Sequence, residues 1–183
     1  MNVFFNVDNN FVPQLATCIC SICENNKGAD EICFYVGAIK ISDENIAKLT
    51  AFVESKGRKI VFIPIINLRE RIPFDFNTFG WRDVILVRLL IDQLLPLDVH
   101  RVIYLDGDTI VRGSLQELWD TDMGGCAIGA SCEPTINRER RIKLGLLNNF
   151  YYNSGVLLID LDVWRRDKIG ERILRYYAEH DGR

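Results

Sequence analysis

Two carboxylates one residue apart, Asp106-Gly107-Asp108, directly follow the apolar run Val102-Ile103-Tyr104-Leu105. If the strand conformation continues through them, side chains at i and i+2 project to the same side. Gly107 between them leaves room for a ligand to approach the backbone. Such a pair offers hard oxygen ligands to Mg²⁺ or Mn²⁺ without enclosing the ion, so positions remain for water and phosphate oxygens. A cation held there would bridge a diphosphate and stabilise it as a leaving group. The alternative is a solvated turn with two surface aspartates. A phosphotransferase motif of the haloacid dehalogenase type, with the first aspartate as nucleophile, is a second alternative. That motif wants Thr or Val where Ile110 stands, and it ends the first strand of its domain rather than a later one.

Other candidates for metal or nucleophilic chemistry are weaker. Cys20 and Cys23 form a C-x-x-C, but no second ligand pair at matching spacing completes a zinc site. The pair also falls inside an apolar helical stretch, so all six cysteines are expected to be small buried thiols. His100 and His180 read as surface histidines.

These residues need a scaffold, and the pattern around them supplies one. Strands are expected over 2–7, 32–39, 60–65, 102–105, 126–131 and 151–159, of which 32–39, rich in β-branched and aromatic residues, reads as buried. Helices are expected over 13–25 (Pro13 in the first turn), 43–56 (capped by Ser42), 81–95 (stopped by Pro96) and 163–179. A short helix should start at the capping box Ser114-Leu115-Gln116-Glu117. The stretches 66–79 and 138–143 read as loops, the second basic (Arg138, Arg140, Arg141, Lys143). Strands interleaved with helices imply an α/β domain with a mostly parallel sheet covered on both faces. Ligands of such sheets bind at the carboxyl ends of the strands, and Asp8, Asp106 and Asn153 all fall in or near that kind of position.

Composition bounds the rest. The 183 residues suit one domain, 48% hydrophobic and 26% charged, which excludes disorder and fibrous classes. A net charge of −3 argues against a partner held by bulk charge, nucleic acid above all. No apolar run reaches the ~18 residues of a membrane span, and the start lacks a signal-peptide pattern. A cytoplasmic protein is expected, with peripheral contact at the inner face of the membrane left open by the basic 138–143 stretch. Oligomeric state is not readable.

Two blocks carry a family resemblance. Val102-Ile103-Tyr104-Leu105-Asp106-Gly107-Asp108-Thr109-Ile110-Val111 with Leu115 and Leu118-Trp119-Asp120 forms the first. Tyr151-Tyr152-Asn153-Ser154-Gly155-Val156-Leu157-Leu158-Ile159-Asp160 with Trp164-Arg165 forms the second. In content, order and separation they resemble the signatures of glycosyltransferase family 8, which includes bacterial lipopolysaccharide glucosyl- and galactosyltransferases and the glycogenins. The resemblance implies a Rossmann-like nucleotide-diphospho-sugar transferase fold. It also implies retaining transfer of a hexose from a UDP-sugar to a glycan or lipopolysaccharide acceptor, with Mn²⁺ or Mg²⁺ as cofactor.

By the same resemblance, Asp8 and Asn10 lie at the nucleoside, with Asn6 and Val7 contributing backbone groups. Asp106 and Asp108 hold the metal, Asp106 and Gly107 line the nucleotide, and Arg88 meets donor sugar and phosphate. Asn153 bonds the sugar with Ser154 beside it. Arg88 and Asn153 are the two expected at the reacting group. On the residues alone, Arg88 could instead be a helix arginine with a buried stem and a wet head, and Asn10 could cap the following helix. The family's pattern continues past the second block into an acidic-glutamine segment and a metal-binding histidine. The 183 residues are therefore expected to be a nucleotide-sugar-binding domain shortened at its C-terminus. A binding fragment without turnover is the alternative function.

Overall fold

The computed structural model describes residues 1–72, 83–146 and 149–180. Its framework is a six-stranded sheet: β1 (Asn2–Asp8), β2 (Cys33–Ile39), β3 (Lys59–Pro64), β4 (Arg101–Leu105), β5 (Ile128–Cys132) and β6 (Tyr152–Asp160). The spatial order is β3-β2-β1-β4-β6-β5. β3, β2, β1 and β4 run parallel, whereas β6 is antiparallel to both β4 and β5. The chain leaves β1 toward β2 on one side, and β4 returns to the other. The carboxyl ends of β1 and β4 therefore flank the switch point where such sheets take ligands.

β1 shows why these segments are strands. Val3 to Val7 are all buried, because both faces of the sheet are covered. Val3, Phe5 and Val7 join one apolar layer with Leu15, Ile19 and Ile22 of α1 (Val12–Asn25) and Leu49 and Val53 of α2 (Asp43–Ser55). Phe4 points the other way, into a second layer with Val87, Leu90, Tyr104, Ile159 and Trp164. The two-residue period of the strand makes this division. Pro13 occupies the first turn of α1, and the Ser42 hydroxyl accepts a 3.3 Å bond from the Asn45 amide to cap α2, both as expected.

Several local expectations are corrected. The helix expected over 81–95 is, where described, a 3₁₀ helix (Asp83–Leu90) that becomes α-helical only over α3 (Ile91–Leu94); residues 81 and 82 lie outside the described part. Eight residues is long for 3₁₀ winding. The Ser114 hydroxyl accepts the Gln116 amide at 3.1 Å, and no capping bond is made at Leu115. The capping box is thus unused, and α4 starts at Gln116 (Gln116–Trp119). The basic stretch is not a loop but α5 (Arg138–Lys143), capped by Asn137, whose oxygen takes the Arg140 amide at 2.8 Å. The last helix divides into α6 (Leu161–Arg166) and α7 (Ile169–Glu179), because Lys168 adopts φ 50°. Within 66–79, Leu68–Arg71 forms a 3₁₀ turn. Cys126 and Cys132 are exposed, contrary to the expectation of six buried thiols, although all six are free.

α7 packs on the 3₁₀ helix at Gly170. A Cβ there would overlap the Leu89 carbonyl oxygen, a backbone atom that cannot swing away. Gly170→Ala is expected to lower unfolding free energy by about 1–3 kcal/mol, the usual range for overpacking. Urea denaturation checks this, and a variant as stable as the parent would show that the two helices are not held this closely.

Candidate functional site

The β1–β4 ladder is short. It covers Val3 opposite Ile103 and Phe4 opposite Tyr104, whereas the β1–β2 ladder continues to Asp8 opposite Ile39. On the β4 side, the backbone of Asn6 and Val7 is thus outside the ladder. The Val7 side chain is buried, and so is Asn6, close to the Tyr104 hydroxyl. At the end of β1, Asp8 accepts the Asn10 amide at 2.9 Å and caps a single 3₁₀ turn, Asn9–Phe11, that leads into α1. Asp8, not Asn10, is therefore the capping side chain, and Asn10 is exposed. Asn9 ties this corner to α2: its side-chain oxygen accepts from the Ser42 amide and from Asn45 Nδ2, each at 2.9 Å.

After β4 the chain does not stay extended. The Asp106 carbonyl accepts from the Thr109 amide at 3.2 Å and from the Thr109 hydroxyl at 2.9 Å, closing a turn with Gly107 and Asp108 at its centre. The i, i+2 argument for same-side carboxylates therefore does not apply. Gly107 serves differently from expectation as well. A Cβ on it would lie 3.0 Å from Val7 Cγ1 and 3.6 Å from Phe11, so the missing side chain lets the turn settle onto β1 and α1. Beneath the turn, Thr109 Oγ1 sits 3.3 Å from Cys18 Sγ, and burial pushes that thiol's pKa up, keeping it protonated. Asp108 is exposed at the tip.

Arg88 projects from the 3₁₀ helix into this corner. Its Nη2 donates to Asp106 Oδ1 at 3.2 Å and its Nη1 to the Ser154 carbonyl at 2.6 Å, while the guanidinium lies 4.5 Å from the Tyr104 ring centre. The side chain is only 16% exposed, so the reading of a wet head on a buried stem is set aside. The fork-shaped guanidinium suits such paired acceptors. The Asp106 amide donates to the Gly155 carbonyl at 2.8 Å, carrying the β4–β6 pairing one step past Leu105 opposite Val156. Gly155 also makes room for the carboxylate: a Cβ there would come within 2.7 Å of Asp106 Oδ2.

On β6, Asn153 Oδ1 accepts the Gly155 amide at 2.8 Å and its Nδ2 donates to Glu133 Oε2 at 3.0 Å. One N–H and one lone pair of the amide remain for another molecule. Ser154 contributes its carbonyl to Arg88, and its residue is exposed. Glu133 is the member that sequence reasoning missed. It stands just past the strand expected to end at 131, and its signal was the Glu-x-Thr spacing by which its carboxylate accepts the Thr135 amide at 3.0 Å.

Asp106, Arg88, Asn153, Ser154 and Gly155 are thus joined in one bonded cluster, with Asp8 and Asn10 at the neighbouring strand end. Asp106 Oδ2 and the Asp108 carboxylate are hard oxygen donors suited to a divalent ion. Among the described residues no group of three or more His, Cys, Asp and Glu is assembled, so these two would leave most of a coordination sphere to a ligand. His100 faces Asp162 at 3.0 Å and His180 stacks on Tyr176 at 3.9 Å, both away from the cluster. No described helix is long and apolar enough to cross a membrane.

The sequence matches the family model "Glycosyl transferase family 8" over residues 2–183, and the chain belongs to that family. Escherichia coli K12 lipopolysaccharide 1,2-glucosyltransferase is 28% identical over 184 residues, covering 99% of this chain and 54% of the relative. Drosophila melanogaster UDP-glucose:glycoprotein glucosyltransferase is 34% identical over 98 residues, 49% of this chain and 6% of that protein. The solved galactosyltransferase LgtC, in complex with donor and acceptor sugar analogs, superposes with a TM-score of 0.84 at 31% identity, covering 99% of this chain and 66% of that one. The chain spans about half the length of the lipopolysaccharide-glycosylating relatives it matches. The expected fold class holds. The phosphotransferase alternative falls, since Asp106 follows the fourth strand of a glycosyltransferase sheet.

Glu133 supplies a pH test of the local geometry. Bonds from the Thr135 hydroxyl, then from Asn153, then from the Thr135 amide hold its carboxyl down to about 2. A depressed folded-state value means that these bonds are present above the ordinary glutamate range and are lost only as pH falls through about 2. Carboxyl NMR should find Glu133 titrating near that value, and Asn153→Ala should raise it. A midpoint near the ordinary 4.5 in the parent protein would contradict the Asn153–Glu133 contact.

Proposed function

We propose that this chain is the nucleotide-sugar-binding part of a metal-dependent, retaining glycosyltransferase that moves a hexose from a UDP-sugar to a glycan or lipopolysaccharide acceptor. Family membership supports the class. The named activities of the relatives support a hexose and, through the UDP-glucose-dependent one, a uridine diphosphate donor. The observation that carries the reading is the bonded cluster of Asp106, Arg88 and the Asn153–Gly155 corner at the switch point of the sheet.

In this reading Asp8 and Asn10 hold the nucleoside, with Asn6 and Val7 offering backbone groups on the side where the ladder has ended. Asp106 Oδ2 and Asp108 hold Mn²⁺ or Mg²⁺, which supplies Lewis-acid stabilisation of the departing diphosphate. Arg88 places fixed positive charge beside the same diphosphate. Because its guanidinium is already oriented by Asp106 and the Ser154 carbonyl, little reorganisation accompanies charge development. Asn153 uses its remaining N–H and lone pair to orient a sugar hydroxyl, with Ser154 beside it.

A second reading is binding without turnover, and the two-carboxylate metal site favours it, since no third protein ligand is assembled among the described residues. Release of UDP from a panel of UDP-hexoses separates the two: hydrolysis or transfer supports the first, and tight binding with no release supports the second.

Calorimetric titration of UDP with and without Mn²⁺ tests the site itself. The expected outcome is Mn²⁺-dependent binding that Asp108→Ala weakens by about tenfold or more, as for loss of a contact between charged groups. Binding that ignores both the metal and the substitution would overturn the assignment.

A further inference from the structure

We propose that Tyr104 is a positioning residue for Asp106: its hydroxyl and the Arg88 guanidinium together occupy one carboxylate oxygen, so that Asp106 presents only the other to its ligand. The inference rests on the preceding reading of Asp106 as a ligand-facing residue, and adds how that residue is aimed. Tyr104 is 1% exposed and packs against Phe4 at a ring separation of 6.2 Å. A phenol buried this deeply requires a polar partner. Its hydroxyl donates to Asp106 Oδ1 at 2.7 Å, and Arg88 Nη2 reaches the same oxygen at 3.2 Å.

Oδ2 is treated in the opposite way. It has no hydrogen bond among the described residues, and the space beside it exists because residue 155 lacks a side chain. One oxygen is thus saturated by two donors and the other is left clear. The spacing explains how a buried residue manages this. Tyr104 and Asp106 are two apart at a strand end, so the phenol approaches Asp106 from within the protein. Arg88 stacks on the ring whose hydroxyl shares its acceptor, so ring, guanidinium and carboxylate orient one another. The consequence is a carboxylate already set in its one-oxygen binding geometry before any ligand arrives. Tyr104 itself touches no ligand.

Tyr104→Phe isolates the claim, because it keeps the ring, its packing and its stacking with Arg88 and removes only the donor. The measurements are UDP titrations across a Mn²⁺ series, thermal unfolding, and a crystal structure of the variant. The expected result is a Mn²⁺ concentration for half-maximal UDP binding raised by about fivefold or more, consistent with loss of a bond to a charged acceptor. Thermal unfolding should stay cooperative, and Asp106 should occupy an altered or second side-chain conformation. An unchanged Mn²⁺ requirement, or an Asp106 carboxylate in its original position, overturns the proposal. A loss of UDP affinity that is the same at every Mn²⁺ concentration also overturns it, since that is the signature of a general packing defect. If the unaltered protein binds no UDP with Mn²⁺, the site reading fails and this inference fails with it.

Discussion

The ion pair between Arg88 and Asp106 adds a polar tie among three parts of the chain that also meet through sheet pairing and apolar packing: the 3₁₀ helix, the tip of β4 and the start of β6. Arg88 bonds the strand-end carboxylate with one nitrogen and the Ser154 carbonyl with the other. Removing the arginine would take away this polar tie and leave only the apolar packing of Val87 and Leu90 between the helix and the strands. With side chains 16% and 40% exposed, the pair is partly desolvated. Pairs of this kind are weak evidence for stability, because desolvation offsets much of the attraction. Their better-attested use is to fix geometry, and in the proposed function that geometry sets a cation beside the diphosphate.

Packing elsewhere serves the same corner. Gly170 lets α7 press the 3₁₀ helix down, Gly37 lets Phe4 and Val87 approach over β2, and Gly107 lets the acidic turn lie on Val7. Arg165 works at a distance from the site. It donates to the carbonyls of Val99 at 3.0 Å and Pro96 at 2.9 Å, clasping the loop that delivers β4. The Trp164-Arg165 pair of the second sequence block therefore has a structural explanation: Trp164 fills the apolar layer and Arg165 secures the entry to the strand that ends in Asp106.

The fold was legible where local pattern and global packing agree. β1, β2 and β4 are apolar because both of their faces are covered, and Ser42 and Pro13 mark helix starts by chemistry that acts within a single turn. What escaped depends on tertiary context. Nothing local in 81–95 distinguishes a 3₁₀ helix pressed on a sheet from an α-helix. The Ser114 box lost to a tighter turn, and the break at Lys168 carries no glycine to announce it. At the site, Asp106 and Asp108 were visible, but their extended geometry was assumed and the Thr109 bonds replace it with a turn. Arg88 lies 18 residues from Asp106 and came from family resemblance, since no spacing rule pairs a helix residue with a strand end. Glu133 and Tyr104 went unassigned because one lies outside the resemblance blocks and the other reads as core.

In the proposed function a divalent ion binds at the turn after β4 when a nucleotide is present. Paramagnetic broadening of backbone amide signals by Mn²⁺ in the presence of UDP, with Mg²⁺ as the diamagnetic reference, reads this directly. Broadening is expected to centre on residues 106–109 and 154–155 and to leave β3 sharp. Broadening centred on another acidic surface, with the 106–109 signals intact, would contradict it.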